Sequence, residues 1–222
     1  TEWHDLQVNA INRFPLHTNF FTYSPEDMVY EEGGKLVSRD LAQVNKAMSK
    51  NYLSLEGTWK FNWVENADQR PTDFYKEDID DSNWKTMNVP GIWEMNGFGD
   101  PEYVNIGFGW RGHFDQQPPA VPTKDNHVGS YRRIIDIPAN WDGKQVVAHF
   151  GSVTSNIYLY VNGKFAGYAE DSKIAAEFDI TPYLKKGKNL IAFQTFRWCD
   201  GSWDEDQDFW RLSGVARECY LF

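Results

Sequence analysis

Ile157-Tyr-Leu-Tyr-Val161, Asn162-Gly163, Lys164-Phe-Ala-Gly-Tyr168 is the stretch that decides the fold. Two runs rich in β-branched and aromatic residues flank a dipeptide that tolerates positive φ at both of its positions. A two-residue type I′ turn requires that tolerance, so the segment reads as a β-hairpin. Working outward, Thr58-Trp-Lys-Phe-Asn-Trp-Val64 alternates large aromatic and polar residues with period two, the pattern of a half-buried strand. Residues 130–137 and 145–150 read as two more strands, joined around Trp141-Asp142-Gly143, where Asp-Gly marks a tight turn. Residues 190–198 read as a strand buried on both faces, and residues 215–222 as a final strand. No βα alternation and no internal repeat is visible. Short strands with turn signals at this spacing predict an all-β fold, an antiparallel β-sandwich of jelly-roll type over residues 51–222.

Residues 1–50 read differently. Asn12-Arg-Phe-Pro-Leu-His17 and Ser24-Pro25 are extended or turn segments, because the residue before a proline is pushed out of the helical region. A short helix is expected over 39–50, and the whole of 1–50 as an extended N-terminal arm lying over the domain. Between strands, residues 90–127 form a long irregular stretch rich in glycine and proline. It also holds Trp93, Tyr103, Phe108, Trp110 and Phe114. Loops of that length are functional or disordered, and the aromatic content predicts a structured loop at one end of the sandwich.

Near the end of the chain, Trp198-Cys-Asp-Gly-Ser-Trp-Asp-Glu-Asp-Gln-Asp-Phe-Trp-Arg-Leu-Ser-Gly214 puts five carboxylates into nine residues, 200 to 208, and brackets them with three tryptophans. Sugars call for that mixture: their hydroxyls need fixed acceptors, while the C–H face of the ring packs on aromatic surface. A merely solvated acidic loop has little reason to carry Trp198, Trp203 and Trp210. Trp203 and Trp210 are open between loop core and stacking platform. Asp206 and Arg211 read as an internal ion pair that holds the loop.

Composition narrows the field further. A formal net charge of -10 excludes the basic footprint that nucleic acid or an anionic membrane surface would need. No apolar run approaches the roughly 20 residues that span a bilayer. The N-terminal residues show no signal-peptide pattern, and with Thr1 in first place both bacterial cytoplasm and periplasm stay open. Cys199 and Cys219 are too few for a disulfide framework and lack zinc spacing, so they read as buried free thiols. Asp204-x-Asp206-x-Asp208 resembles the start of a calcium loop, but Phe209 and Val215 stand where glycine and glutamate are needed. There is no nucleophile elbow, P-loop or dinucleotide fingerprint. His17, His113, His127 and His149 read as structural. A pair of carboxylates drawn from one loop seldom achieves the separation and split pKa values that glycoside hydrolysis demands, so catalysis by this chain alone is not expected.

Taken together, several segments resemble the N-terminal sugar-binding domain of glycoside hydrolase family 2, in particular that of the long bacterial β-galactosidases. They are Leu55-Glu-Gly-Thr-Trp-Lys-Phe61, Val89-Pro-Gly-Ile-Trp-Glu-Met-Asn-Gly97, Pro101-Glu-Tyr-Val-Asn-Ile106, Gly151-Ser-Val-Thr-Ser155, Val161-Asn-Gly163, Gly167-Tyr-Ala-Glu-Asp-Ser172, Glu177-Phe-Asp179 and above all 197–214. The resemblance implies a sandwich that leans on a separate (β/α)₈ barrel, which supplies both catalytic glutamates. It implies no catalytic residue in this chain. Asn105 matches the asparagine that bonds galactose hydroxyls, and Ile106 would line the same subsite. Asp208 matches the carboxylate that contacts galactose and ligates a sodium ion, whose remaining ligands come from the barrel. The family's arm can also contribute to a structural magnesium site, with Glu2, Asp5, Glu170 and Asp200 near the matching positions. The implied partners are galactose-containing oligosaccharides, a catalytic barrel in the same polypeptide and, for the parent enzyme, further copies of itself in a homo-oligomer.

Overall fold

The computed structural model describes residues 2–23 and 46–222. Its described residues form an all-β protein with short 3-10 turns and no α-helix. One layer is a seven-stranded antiparallel sheet in the order Ala10–Ile11, Lys164–Ala169, Ile157–Val161, Gly187–Phe196, Val128–Ile137, Gly57–Val64, Lys85–Val89. The facing layer has four strands, Ala176–Asp179, Val147–Phe150, Cys219–Leu221 and Leu53–Ser54. Apolar side chains from the two layers interlock between them, with Phe150 of the small sheet against Phe193 of the large one at 5.3 Å, where Phe193 also stacks on its cross-strand neighbour Tyr131 at 4.2 Å. Trp59, Phe61, Phe150, Phe178 and Phe193 are all buried there. The architecture is an antiparallel β-sandwich.

The hairpin forms where its turn chemistry demands. Asn162 and Gly163 adopt φ of 50° and 77°, the left-handed pair of a type I′ turn, between Ile157–Val161 and Lys164–Ala169. The strand expected to be buried on both faces occupies Gly187–Phe196, with every residue from 189 to 196 buried. One face looks into the core. The other is covered by the segment after Gly57–Val64, tied down by Arg132, which donates to the carbonyls of Phe74 (2.5 Å) and Lys76 (2.7 Å) and pairs with Asp81 at 2.8 Å.

The turn around Asp142-Gly143 does not close a hairpin. The strands on either side of Trp141-Asp142-Gly143 do not pair with each other. Val128–Ile137 lies in the large sheet, and Val147–Phe150 crosses to the small one, between Ala176–Asp179 and Cys219–Leu221. Trp141 is the physical reason: its ring is buried at the end of the sandwich and its indole N–H reaches the Lys50 carbonyl at 2.7 Å, so the connection caps the core instead of reversing over it.

Residues 24–45 of the expected arm lie outside the described residues, as does most of the expected helix over 39–50, of which the described end is a 3-10 turn at Lys46–Met48. The described part of the arm runs from one layer to the other. Ala10–Ile11 pairs with the edge strand Lys164–Ala169, and Phe14 N–H donates to the Glu177 carbonyl at 2.9 Å. The Glu177 carboxylate then joins the arm's His17 (2.8 Å) to His149 of the small sheet (2.7 Å). Both cysteines are buried free thiols, and burial pushes each thiol up from its ordinary range.

Candidate functional site

The acidic run and the long glycine-rich loop come together at one end of the sandwich. A second apolar cluster, separate from the main core, anchors them. Trp110, Trp198, Phe196 and Trp3 are buried in it, with Phe108 and Trp203 packed alongside. Trp3 stacks on Phe196 at 4.9 Å, so the start of the arm also serves this end. Trp203 belongs to this packing. Its ring meets Phe108 at 4.2 Å and Trp110 at 4.9 Å, and its indole N–H donates to the Ala120 carbonyl at 2.9 Å.

On this base stands a two-stranded ribbon, Glu102–Val104 against Phe209–Arg211, in the register Glu102↔Arg211, Tyr103↔Trp210, Val104↔Phe209. Strand side chains alternate between faces. One face carries Glu102, Val104, Phe209 and Arg211, all buried or half-buried. It is fixed by charge. Arg197, with 5% of its side chain exposed, holds Glu102 at 3.0 Å, and Arg211 pairs with Asp206 as expected. Burial raises the Glu102 carboxyl above its usual range despite the Arg197 guanidinium beside it. The Arg211 guanidinium also lies over the Phe209 ring at 4.9 Å.

The opposite face is open. It presents Tyr103 (52% exposed) and Trp210 (54% exposed), whose rings meet at 5.5 Å. Asn105 follows Val104 and Asp208 precedes Phe209, so the two flank the last pair of the ribbon, Val104↔Phe209, and both are exposed at its tip. The two residues named from the sequence stand 103 positions apart in the chain, and the ribbon brings them together. Ile106, 70% exposed, follows Asn105 at the rim.

The Tyr103 hydroxyl donates to Asp208 Oδ1 at 2.5 Å, the diagonal contact that long aromatic side chains make across a ribbon. That bond raises the Tyr103 phenol above its ordinary value. Tyr103 was not among the residues assigned a role from sequence. Its signal was present: it lies two positions before Asn105, and period-two alternation puts both on one face. A carboxylate, an amide, a phenol and an indole on one exposed face is the inventory that sugar hydroxyls and sugar C–H surfaces require.

The four acidic residues considered for magnesium divide. Glu170 and Asp200 lie together, with Cys199, their potential ligand atoms all within 4.8 Å of one another. Glu2 accepts from the Tyr158 hydroxyl at 3.1 Å, and Asp5 accepts from the Gln7 N–H at 3.1 Å. Asp200 Oδ1 is buried without a hydrogen-bond partner among the described residues. Burial, reinforced by the Asp200 charge and only partly offset by the Tyr168 hydroxyl at 2.5 Å, pushes the Glu170 carboxyl up to about 8. Two carboxylates with an orphaned oxygen fit a hard dication, whereas a protonated thiol does not.

A stability prediction follows from Glu170. The folded state holds its proton up to about pH 8, whereas an unfolded glutamate releases it near 4.5. Between those values the folded chain binds more protons, so stability falls as pH rises through that window. Without divalent cations, Glu170→Gln is expected to stabilise the fold at pH 8 by about 2 kcal/mol, roughly 4–8 °C in Tm, and to change little at pH 4. Thermal unfolding across that range checks it; a Gln variant with the unaltered pH slope would refute the reading.

Comparison with known proteins gives this end its context. Residues 52–222 match the glycosyl hydrolases family 2, sugar binding domain. The chain is 42% identical over 222 residues to a β-galactosidase of Priestia megaterium, covering 100% of this chain and 20% of that protein. A β-galactosidase of Halalkalibacterium halodurans is 40% identical over 218 residues, 98% of this chain and 20% of that protein. The solved structure of Bacteroides uniformis β-glucuronidase superposes with a TM-score of 0.55 at 22% identity, over 77% of this chain and 17% of that one, which shows a shared fold. The chain thus spans about a fifth of the length of the two β-galactosidases. With the sandwich, the ribbon and these matches in hand, the chain belongs to the sugar-binding domain family of the glycosyl hydrolases of family 2.

Proposed function

We propose that this chain is the jelly-roll sugar-binding domain of a longer, retaining β-galactosidase that removes terminal β-D-galactose from galactose-containing oligosaccharides. The open face of the ribbon forms the outer wall of the galactose subsite. Asn105 offers its side-chain amide to galactose hydroxyls, and Asp208 accepts from a hydroxyl while ligating a sodium ion shared with the barrel. The barrel, in the remainder of the polypeptide, supplies both catalytic glutamates. This domain contributes orientation, and no catalytic residue.

The observation that carries the reading is that Asn105 and Asp208, both exposed, flank the last pair of the ribbon, Val104↔Phe209. The surface around them supports a wall completed by another domain, since Tyr103, Ile106 and Trp210 leave apolar area open at the same tip. A sodium ion there would offset the Asp208 charge and let the carboxylate face a sugar without the full cost of desolvation. A magnesium ion held by Glu170 and Asp200 would stiffen the strand end beneath the acidic loop, within a homo-oligomeric parent enzyme.

Titrating the purified chain with galactose and lactose, with and without sodium, tests the reading. Binding in the millimolar range or weaker is expected of half a subsite. Micromolar binding by the chain alone would replace it with a free-standing carbohydrate-binding module.

A further inference from the structure

We propose that Tyr103 is a positioning residue for this subsite: its hydroxyl holds one oxygen of Asp208, so that the other is presented in a fixed direction to the galactose hydroxyl and the cation. The inference rests on the assignment of Asp208 to the sugar and sodium site. It adds a residue and a division of labour between the two carboxylate oxygens.

The geometry is specific. Asp208 is exposed at the end of a three-pair ribbon, where a short side chain otherwise turns freely about its own bonds. The Tyr103 contact, at 2.5 Å to Oδ1, has the length of a charge-assisted O–H···O⁻ bond. The phenol is itself steadied from its own face, because Trp210 is its register partner and their rings touch at 5.5 Å. The ribbon's other face is clamped to the domain through Arg197–Glu102 and Arg211–Asp206. Direction is thus passed from a buried guanidinium to the backbone, from the backbone to the phenol, and from the phenol to the carboxylate. Tyrosine suits this role because it is a neutral donor: it fixes the carboxylate without cancelling the charge that a cation and a hydroxyl would seek. A lysine there would cancel that charge.

The test is Tyr103→Phe in the full-length enzyme, alone and combined with Asp208→Asn. Phenylalanine keeps the ring against Trp210 and deletes only the hydroxyl. At limiting sodium the expected result is a KM raised about fivefold or more with kcat within about twofold, as suits loss of one charge-assisted bond that acts on binding. The sodium concentration for half-maximal activity rises in parallel, and the KM defect shrinks as sodium saturates. A residue that merely supported the ribbon would not move the sodium dependence.

In the Asp208→Asn background the same substitution is expected to add nothing, since the two residues act as one unit. Wild-type KM and sodium dependence in Tyr103→Phe, beside a large loss in Asp208→Asn, would overturn the role of Tyr103 and leave the subsite standing. Independent, additive effects would overturn it too. An Asp208→Asn enzyme with unaltered kinetics would overturn the subsite itself, and this inference with it.

Discussion

Replacing Asp208 with alanine in the full-length enzyme is expected to lower kcat/KM on a β-galactoside by more than tenfold while leaving the fold intact. Asp208 stands exposed at the ribbon tip, and the Tyr103 hydroxyl that donates to it is exposed as well, so no buried group loses its partner. On the proposed role of Asp208, the substitution removes a charged hydrogen bond to a sugar hydroxyl, about 1.5–3 kcal/mol, and with it one ligand of the proposed sodium ion. At about 1.4 kcal/mol per factor of ten, the first contribution alone reaches tenfold. Asp206→Ala makes the control. Its carboxylate faces the buried Arg211, so its removal takes the ion-pair partner from a guanidinium with 7% exposure. That variant should lose stability first, and any kinetic loss should follow from a loosened ribbon. Steady-state kinetics and thermal unfolding of both variants separate the two roles; near-normal kinetics in Asp208→Ala would remove Asp208 from the subsite.

The second large effect belongs to the core. Trp93→Ala is expected to cost about 3–5 kcal/mol, the range for deleting a buried large aromatic side chain, or roughly 10 °C in Tm for a domain of this size. Trp93 is fully buried where the loop end meets the main core. Its ring lies so close to Gly129 that a Cβ at that position would fall 2.4 Å from it. Its indole N–H donates to the Tyr131 hydroxyl at 2.6 Å, and Tyr131 is itself fully buried. Alanine would therefore open a cavity beneath the loop and also leave a buried hydroxyl without its donor. Trp93→Phe keeps most of the apolar volume and should cost markedly less. Denaturant unfolding measures both, and a loss below about 1 kcal/mol for alanine would mean that the surrounding groups close the space.

These two sites differ in how much of them the sequence discloses. The hairpin around Asn162-Gly163 was legible because its cause is local: two residues must accept positive φ, and asparagine and glycine do so at least cost. The doubly buried strand was legible from its largely apolar run, and the candidate site from carboxylates set among tryptophans. The layer assignment of Val147–Phe150 was not. Asp-Gly promises a tight turn, and nothing nearby says that burying Trp141 makes the chain cross to the other sheet.

At the candidate site the same division holds. Asn105 and Asp208 were named from motifs that resemble a known family, whereas Tyr103, one alternation step from Asn105, went unassigned because its partner lies 105 residues away. Among the acidic residues near the arm, sequence position could not separate Glu170 and Asp200, which meet, from Glu2 and Asp5, which satisfy other donors.

By itself, then, the sequence determined the class of fold, the type I′ turn, the strand faces and the chemistry concentrated at one end, because period and turn geometry act over a few residues. Only the tertiary structure decided which strands share a layer and which tryptophan is core: Trp203 packs inward while Trp210 stands open. It also decided the register, Val104 opposite Phe209, that puts Asn105 and Asp208 at the same end of the ribbon. The physical reason is that register is fixed from the hidden side. Arg197 and Arg211, buried against their half-buried carboxylate partners, lock the ribbon's inner face, and the alternation of the strands carries that choice to the outer one.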